Sequence, residues 1–420
     1  MPATSLNATM TRLMHTEKIR GRQGPADRSF GYLLTCTLGG QAAGTMATMT
    51  LPAVAPEVAA SYGVPSSLIG YQISLLAAAM LFSLVFGANL STRWGACRVH
   101  QVGLALLAGG CLIATGPHLA FFFVSGISLG LGYGLLTPSA SHLLMRFTPA
   151  NRRNLVFSVK QTGVPFGGIG AALIAPAVAT AFGWRWALGV SAVLLCALIA
   201  LLQRRRAAWD DDRNPVSPLV GNPLGGIITI WRHRALRYLS IAGACLVVPQ
   251  IGITTFTVVL FAEEMGYTLV AAGLVLTASQ VAGVAGRVFW GWIADVTRNC
   301  YTALSVLSGV MFAAALLCFA ITPGWPIVLS CGLFFILGST ASGWNGAFVA
   351  EVARLAPAQA VSRATSGSLF FVNIGKMLGP IALANAYAFS GSYSTAFGLL
   401  AIPSAAALAC LLVARSVTRE

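Results

Sequence analysis

Two lysines stand where lipid or packed protein belongs. Lys160 and Lys376 each lie within a run of apolar residues long enough to cross a bilayer. Their depths are ~10 Å and ~18 Å from the nearer arginine-flanked end, at ~1.5 Å per helical residue. A charged side chain at bilayer depth costs at least ~2.5–3.5 kcal/mol, so it marks a function or a pairing. Two ammonium groups facing one cavity of low dielectric attract a carboxylate strongly. The competing reading is structural: a lysine stem can reach the interface or bond backbone carbonyls, which suits Lys160 better than the deeper Lys376. Gln161, Thr162, Gly163, Pro165, Gly167 and Gly168 follow Lys160 as a polar, helix-loosening run.

Gln41, Thr45 and Thr48 share one helical stripe, and Gln250, Thr254 and Thr257 repeat it at a constant offset. Polar side chains in a membrane helix avoid lipid, so such stripes line a cavity or bond between helices; the duplication favours the cavity. Trp344 and Asn345, flanked by Gly343 and Gly346, and Asn373 beside Phe370 and Phe371, are candidates for the wall of the same pocket. A tryptophan at that depth stacks on an organic substrate or packs a core. Gly126, Gly130 and Gly134 form a ladder for close packing of helices.

The acids inform by absence. All eleven lie in tails, loops or helix ends, so no mid-span carboxylate offers itself as a proton carrier. Glu57, Glu263 and Glu264 read as water-facing, and His142 reads as a loop-end residue, the one histidine near a cavity wall. The nine cysteines are scattered, with no C-x-x-C and no Cys/His cluster, which indicates neither a disulfide framework nor a metal site. No nucleotide loop or nucleophile elbow is found. The chain reads as no enzyme and as needing no cofactor.

The elements that must position these residues are membrane helices. Of 420 residues 56% are hydrophobic and 9% charged, with mean hydropathy +0.78, against about 25% charged in soluble domains. The apolar runs are ~20 residues long, the length of a spanning helix, and lack the ~10-residue alternation of a β-barrel. Twelve spans are expected. Residues 1–28 form a basic tail with no signal-peptide core, 29–203 the first six spans, 204–237 a linker, 238–414 the second six and 415–420 a short tail. Sorting the basic residues places twenty-two on the side of both termini and one, Arg185, opposite, with Lys160, Arg287 and Lys376 within spans. Both termini are therefore expected in the cytoplasm, and the net charge of +15 needs no nucleic acid to explain it. The linker, with Asp210-Asp211-Asp212, reads as a solvated tether; Trp184 and Trp186 read as interface anchors. Gly70 and Ser74 match Gly273 and Thr277, and the Arg146–Ala150 loop matches Arg354–Ala358. Parallel repeats of this kind hold the substrate site between them near the midplane.

These features resemble the major facilitator superfamily. Its Gly-x-Leu-Ala-Asp-Arg-x-Gly loop signature appears as Ala88-Asn89-Leu90-Ser91-Thr92-Arg93-Trp94-Gly95, with Arg98 following and Thr92 where the acid is usual. A second copy, Gly291-Trp292-Ile293-Ala294-Asp295 with Arg298, keeps the acid. The resemblance implies two pseudo-symmetric six-helix bundles and alternating access. It also implies a latch on the cytoplasmic side, formed by Arg93, Gly95, Arg98, Gly291, Asp295 and Arg298, with Arg287 two turns before Asp295 reaching the same charges. Organic-anion and monocarboxylate members use basic residues in spans 8 and 11, and Arg287 with Lys376 resembles that pair. Drug antiporters carry an arginine where Gly126 stands and a span-5 motif that Gly163–Gly168 reorders. The expectation is a monomeric permease of the cytoplasmic (inner) membrane. It moves a small organic anion, a carboxylate, with a co-transported proton or by exchange; proton-coupled drug efflux is the alternative.

Overall fold

In hydrocarbon every backbone N–H and C=O must be satisfied within its own segment, and the long apolar runs meet that demand as helices. The structure, a computed structural model, describes residues 26–149, 152–217, 224–297, 299–357 and 361–419. The first half holds α1 (Ala26–Ala53), α2 (Ala55–Tyr62), α3 (Leu68–Trp94), α4 (Ala96–Ala114), α5 (Leu119–Phe147), α6 (Arg153–Gln161), α7 (Gly163–Phe182) and α8 (Trp184–Gln203). Between the halves lie α9 (Arg206–Trp209) and α10 (Leu224–Arg232). The second half holds α11 (Arg234–Val259), prolonged by a π turn at Leu260–Glu264, then α12 (Leu269–Thr297), α13 (Cys300–Leu317), α14 (Ile327–Leu355), α15 (Val361–Ser390), α16 (Tyr393–Gly398) and α17 (Ala401–Arg419). Ten helical stretches of the described residues are long and apolar enough to cross a membrane, and Leu68–Leu84 is a shorter one.

The expected fifth span is one membrane-length stretch, Val156–Phe182, whose helix is interrupted at Thr162. Pro165 has no N–H to give the Gln161 carbonyl, and the chain turns at Thr162 between α6 and α7. The freed carbonyl becomes a ligand, as described below.

Glycines set the distances between helices. A side chain at Gly126 would lie 3.0 Å from the Gln72 carbonyl and one at Gly134 2.6 Å from the Met80 carbonyl, so the ladder of α5 lies on the backbone of α3. The second half repeats the contact: Gly286 meets Ser339, and Gly338 meets Ser279, between α12 and α14. Two further seams join the halves. Gly70 of α3 lies under the Pro380 carbonyl of α15, and Gly273 of α12 lies under the Ala172 carbonyl and Pro176 of α7. At the same end Tyr71 donates to Asn385 at 2.7 Å and Ser66 donates to Glu263. This closed end is opposite the basic end that carries Arg93, Arg146 and Arg204–Arg206.

The linker is not a solvated tether. Trp209 is buried against Tyr32, and Asp210 is buried at the start of α4. Asp210 accepts the Cys97 N–H at 2.7 Å and the Arg98 N–H at 3.0 Å, and Arg206 lies 3.8 Å away. Asp211 pairs with Arg146, and Asp212 pairs with Arg146 at 3.0 Å and His142 at 2.8 Å. Beyond it, α10 packs on α15 of the second half, with Trp231 stacked on Phe371 at 6.0 Å. The physical reason is local: a bare helix N-terminus and an arginine sit under the first half, and three carboxylates satisfy them.

Other expectations change in the same way. Glu264 does not face water; it accepts from the Ser392 and Ser394 hydroxyls and from the Tyr393 and Ser394 N–H groups, capping α16. Trp184 is no surface anchor but is buried against Tyr62, with Arg185 over its ring, whereas Trp186 is exposed.

Candidate substrate-binding site

A cavity of about 140 Å³ lies between the halves, walled by α1, α3, α5 and α7 on one side and by α11 and α15 on the other. Lys376 of α15 lines it, as do Thr45, Thr48, Gln250 and Thr254 of the duplicated stripe. Thr48 and Thr254 turn their hydroxyl hydrogens back to the carbonyls of Thr45 and Ile251, leaving oxygen lone pairs toward the cavity. Lys376 and the Gln250 amide have no hydrogen-bond partner among the described residues. No carboxylate lines the cavity.

Lys160 lies behind this wall. It is 1% exposed, and its ammonium donates to Gln41 Oε1 at 2.7 Å and to Gln161 Oε1 at 3.3 Å. Gln41 in turn donates through Nε2 to the Tyr133 hydroxyl at 2.9 Å, and Thr45 Oγ1 lies 3.0 Å from the same oxygen. The order of donors is fixed. A charged lysine only donates, so it takes the carbonyl end of Gln41 and turns the amide end onto Tyr133. The phenol lines the cavity. Sequence reasoning passed over Tyr133, treating Gly134 beside it only as a packing position; a phenol between two glycines at mid-span was the available signal.

Arg287 turns away from the charges at the basic end. Its Nη1 reaches across the halves to the freed Gln161 carbonyl at 3.4 Å, and its Nε is buried without a partner. It lies within electrostatic range of Lys376 and Tyr133. Asp295 is exposed, with no ion pair among the described residues, and Gly291 has open space beside it; Arg298 lies outside the described residues. Arg93 donates to the Ser217 carbonyl of the linker, Gly95 carries a φ of 97° against the Asp210 carboxylate, and the Arg98 side chain is exposed.

The aromatic candidates sit elsewhere. Trp344 is buried edge-on to Phe348, with its indole N–H given to the Ala341 carbonyl at 2.9 Å. Asn345 donates to Ser342, and Asn373, buried one turn before Lys376, donates to Leu369 while its Oδ1 has no partner. None of the three is among the cavity-lining residues. His142 is tied to Asp212, and the histidine close to the polar network is instead His100. Among the described residues no group of His, Cys, Asp and Glu is arranged to hold a metal ion.

Against this geometry, the model of the Major Facilitator Superfamily matches residues 36–366. The chain belongs to the Major Facilitator Superfamily. Its relatives include Monocarboxylate transporter 11 of Mus musculus, 26% identical over 85% of this chain and 81% of the relative. Monocarboxylate transporter 13 of Bos taurus is 27% identical over 61% of this chain, which spans 60% of that relative's length. The 4-hydroxybenzoate transporter PcaK of Pseudomonas putida is 22% identical over 87% of this chain and 88% of its own. A solved structure, that of a peptide transporter POT in complex with sulfate, superposes with TM-score 0.76 at 18% identity, covering 94% of this chain and 97% of that one.

Proposed function

We propose that the protein is a secondary transporter that moves a small organic anion, a monocarboxylate, across the cytoplasmic membrane by alternating access. The observation that carries this reading is Lys376: an ammonium on the cavity wall with a second cation, Arg287, in range and, among the described residues, no acceptor for it and no carboxylate beside either. A cation without a partner in an apolar cavity is costly, and a bound carboxylate removes that cost. At an effective dielectric constant of about 20 and 4 Å separation, each ion contact is worth about 4 kcal/mol before desolvation. The Gln250 amide supplies hydrogen bonds that orient the anion, Tyr133 joins it by turning its one hydrogen from Thr45 to the anion, and the apolar remainder of the wall suits an organic group. The relatives named for monocarboxylates and for 4-hydroxybenzoate are consistent with the charge of such a substrate.

In this reading α1 and α3 join the ten apolar helices as a twelve-span pair of six-helix bundles, 29–203 and 238–414, with the basic end and both termini cytoplasmic. Lys160 acts at one remove, through Gln41 and Tyr133. The latch expected at the basic end draws its first-half acid from Asp210. Transport is proton symport or anion exchange.

Uptake of labelled lactate, pyruvate, benzoate, 4-hydroxybenzoate and nicotinate into proteoliposomes tests the proposal, with Lys376→Gln beside the unaltered protein. Saturable uptake of one of these anions, lost in the variant, supports it. Equal uptake by both proteins, or transport confined to cations, refutes it and brings drug efflux forward.

A further inference from the structure

His100 on α4 is fully buried and has no place in the cavity wall. Its Nδ1 lies 3.0 Å from Ser139 Oγ, and that hydroxyl gives its own hydrogen to the Leu135 carbonyl at 2.6 Å. Ser139 therefore accepts from Nδ1–H, and in the neutral ring the lone pair is on Nε2. Nε2 is buried without a hydrogen-bond partner among the described residues. It points at Gly40 of α1, where a side-chain carbon would lie 2.5 Å from it; glycine leaves the lone pair uncovered. The next residue, Gln41, holds the ammonium of Lys160, the charged group in electrostatic range of the imidazole.

The other ionisable groups around α4 are accounted for. α1 brings the buried thiol of Cys36 one turn away, and α5 brings His142, bound to Asp212, and Tyr133. α8 brings the Gln203 amide and backbone carbonyls. Asp210 and Arg206 sit at the first turn of α4 as a pair, and Arg93 at the end of α3 is held by Ser217. None of these contacts is made to the imidazole, so its basic nitrogen is a site for a proton and little else.

We propose that His100 and Lys160 together hold the proton carried with the substrate, an inference that rests on the anion-transport reading above. Two cations in a low-dielectric interior repel, so the pair holds at most one such proton: loaded, it is an ammonium beside a neutral imidazole or an imidazolium beside a neutral amine, and unloaded, after that proton has left with the substrate, both bases are neutral. A proton leaving Nζ leaves an amine that Gln41 still holds, and a proton taken up at Nε2 restores the charge. Gln41 and Tyr133 connect that charge to the cavity wall, and through them an arriving carboxylate favours the protonated pair. A transporter without a mid-span carboxylate thereby gains a proton site made of bases.

Two measurements test this. The first needs no substrate: nitrogen-15 NMR of the five histidines in purified protein between about pH 5 and pH 9, with His100→Gln to identify the signal. The pair requires His100 to stay neutral in the unaltered protein and to take up a proton within this range in Lys160→Gln. A ring that stays neutral in both is a packing histidine, and the proposal falls. The second is 4-hydroxybenzoate uptake with a pH-sensitive dye in the lumen. His100→Gln is expected to keep anion exchange but to lose proton-driven accumulation by at least about tenfold; accumulation at the unaltered level overturns the proposal. Absence of exchange in the unaltered protein counts against the substrate reading alone, and the NMR result then decides the proton site. If His100→Gln does not assemble, His100→Asn, which keeps a donor for Ser139, replaces it.

Discussion

The carboxylate of Asp210 lies against the α-carbon of Gly95, over the bare first turn of α4. The loop signature of the family places its acid at the position of Thr92; here the acid arrives from the linker. Gly95 is needed twice, for its positive φ and for the room its missing side chain gives to the carboxylate.

Asp210→Ala removes the cap and should cost about 0.5–2 kcal/mol, read as faster hydrogen exchange of the 204–217 segment and of the first turn of α4. Gly95→Ala should do the same by collision.

The docked linker should also respond to pH. Burial raises the Asp210 carboxyl above its ordinary range, outweighing the two N–H donors and Arg206 that lower it. A raised folded pKa means the docked state holds the proton more tightly, so this residue's contribution to docking is full below the ordinary Asp pKa and is lost as pH rises through the raised one. Asp210→Asn, neutral at every pH, should flatten the dependence. Hydrogen exchange of the segment, corrected for intrinsic rate, measures it; the same slope in Asn and Asp proteins would contradict the assignment.

Lys376→Gln should weaken anion binding by roughly 2–5 kcal/mol, at least about thirtyfold, while Lys376→Arg keeps the charge and should retain part of the affinity. Isothermal titration or competition uptake reads both.

Gln41→Leu leaves the buried ammonium of Lys160 with only the longer contact to Gln161 Oε1 and should lower stability by about 1–3 kcal/mol. Tyr133→Phe leaves Lys160 and its acceptor in place, so it should reduce affinity with a much smaller change in thermal stability. If both variants behave alike, the order of donors from Lys160 to Tyr133 is not what links them.

At the closed end, Gly70→Val would drive a side chain into the Pro380 carbonyl. The expected outcome is a shift toward a state open at that end, read as increased alkylation of a cysteine placed at Ser66.

Much of this molecule was legible from its sequence because bilayer physics is simple. Apolar length gives helices, and the repeated Gln and Thr positions point at the cavity that Thr45, Thr48, Gln250 and Thr254 do line. What a linear pattern lacks is direction. Arg287 reads as a latch residue from its distance to Asp295, yet its side chain follows the carbonyl that Pro165 leaves free. Trp344 reads as pocket wall from its flanking glycines, yet it packs on Phe348, with Gly343 making room for Trp290 and Gly346 beside open space. His100 carries no local signal, since its partners lie on α1 and α5, and the three aspartates look like a solvated run until the helix end they cap is in view.

The linker has one further consequence. Its Arg204–Ser217 part rides with the first half and its Leu224–Arg232 part rides with the second. Six residues, 218–223, join the two docked parts, and the covalent reach of that connection is at most about 25 Å at ~3.3–3.6 Å per residue. That reach therefore sets an upper limit on how far the two docked parts can separate. Insertions there should raise the limit, and deletions should lower it before they affect the site.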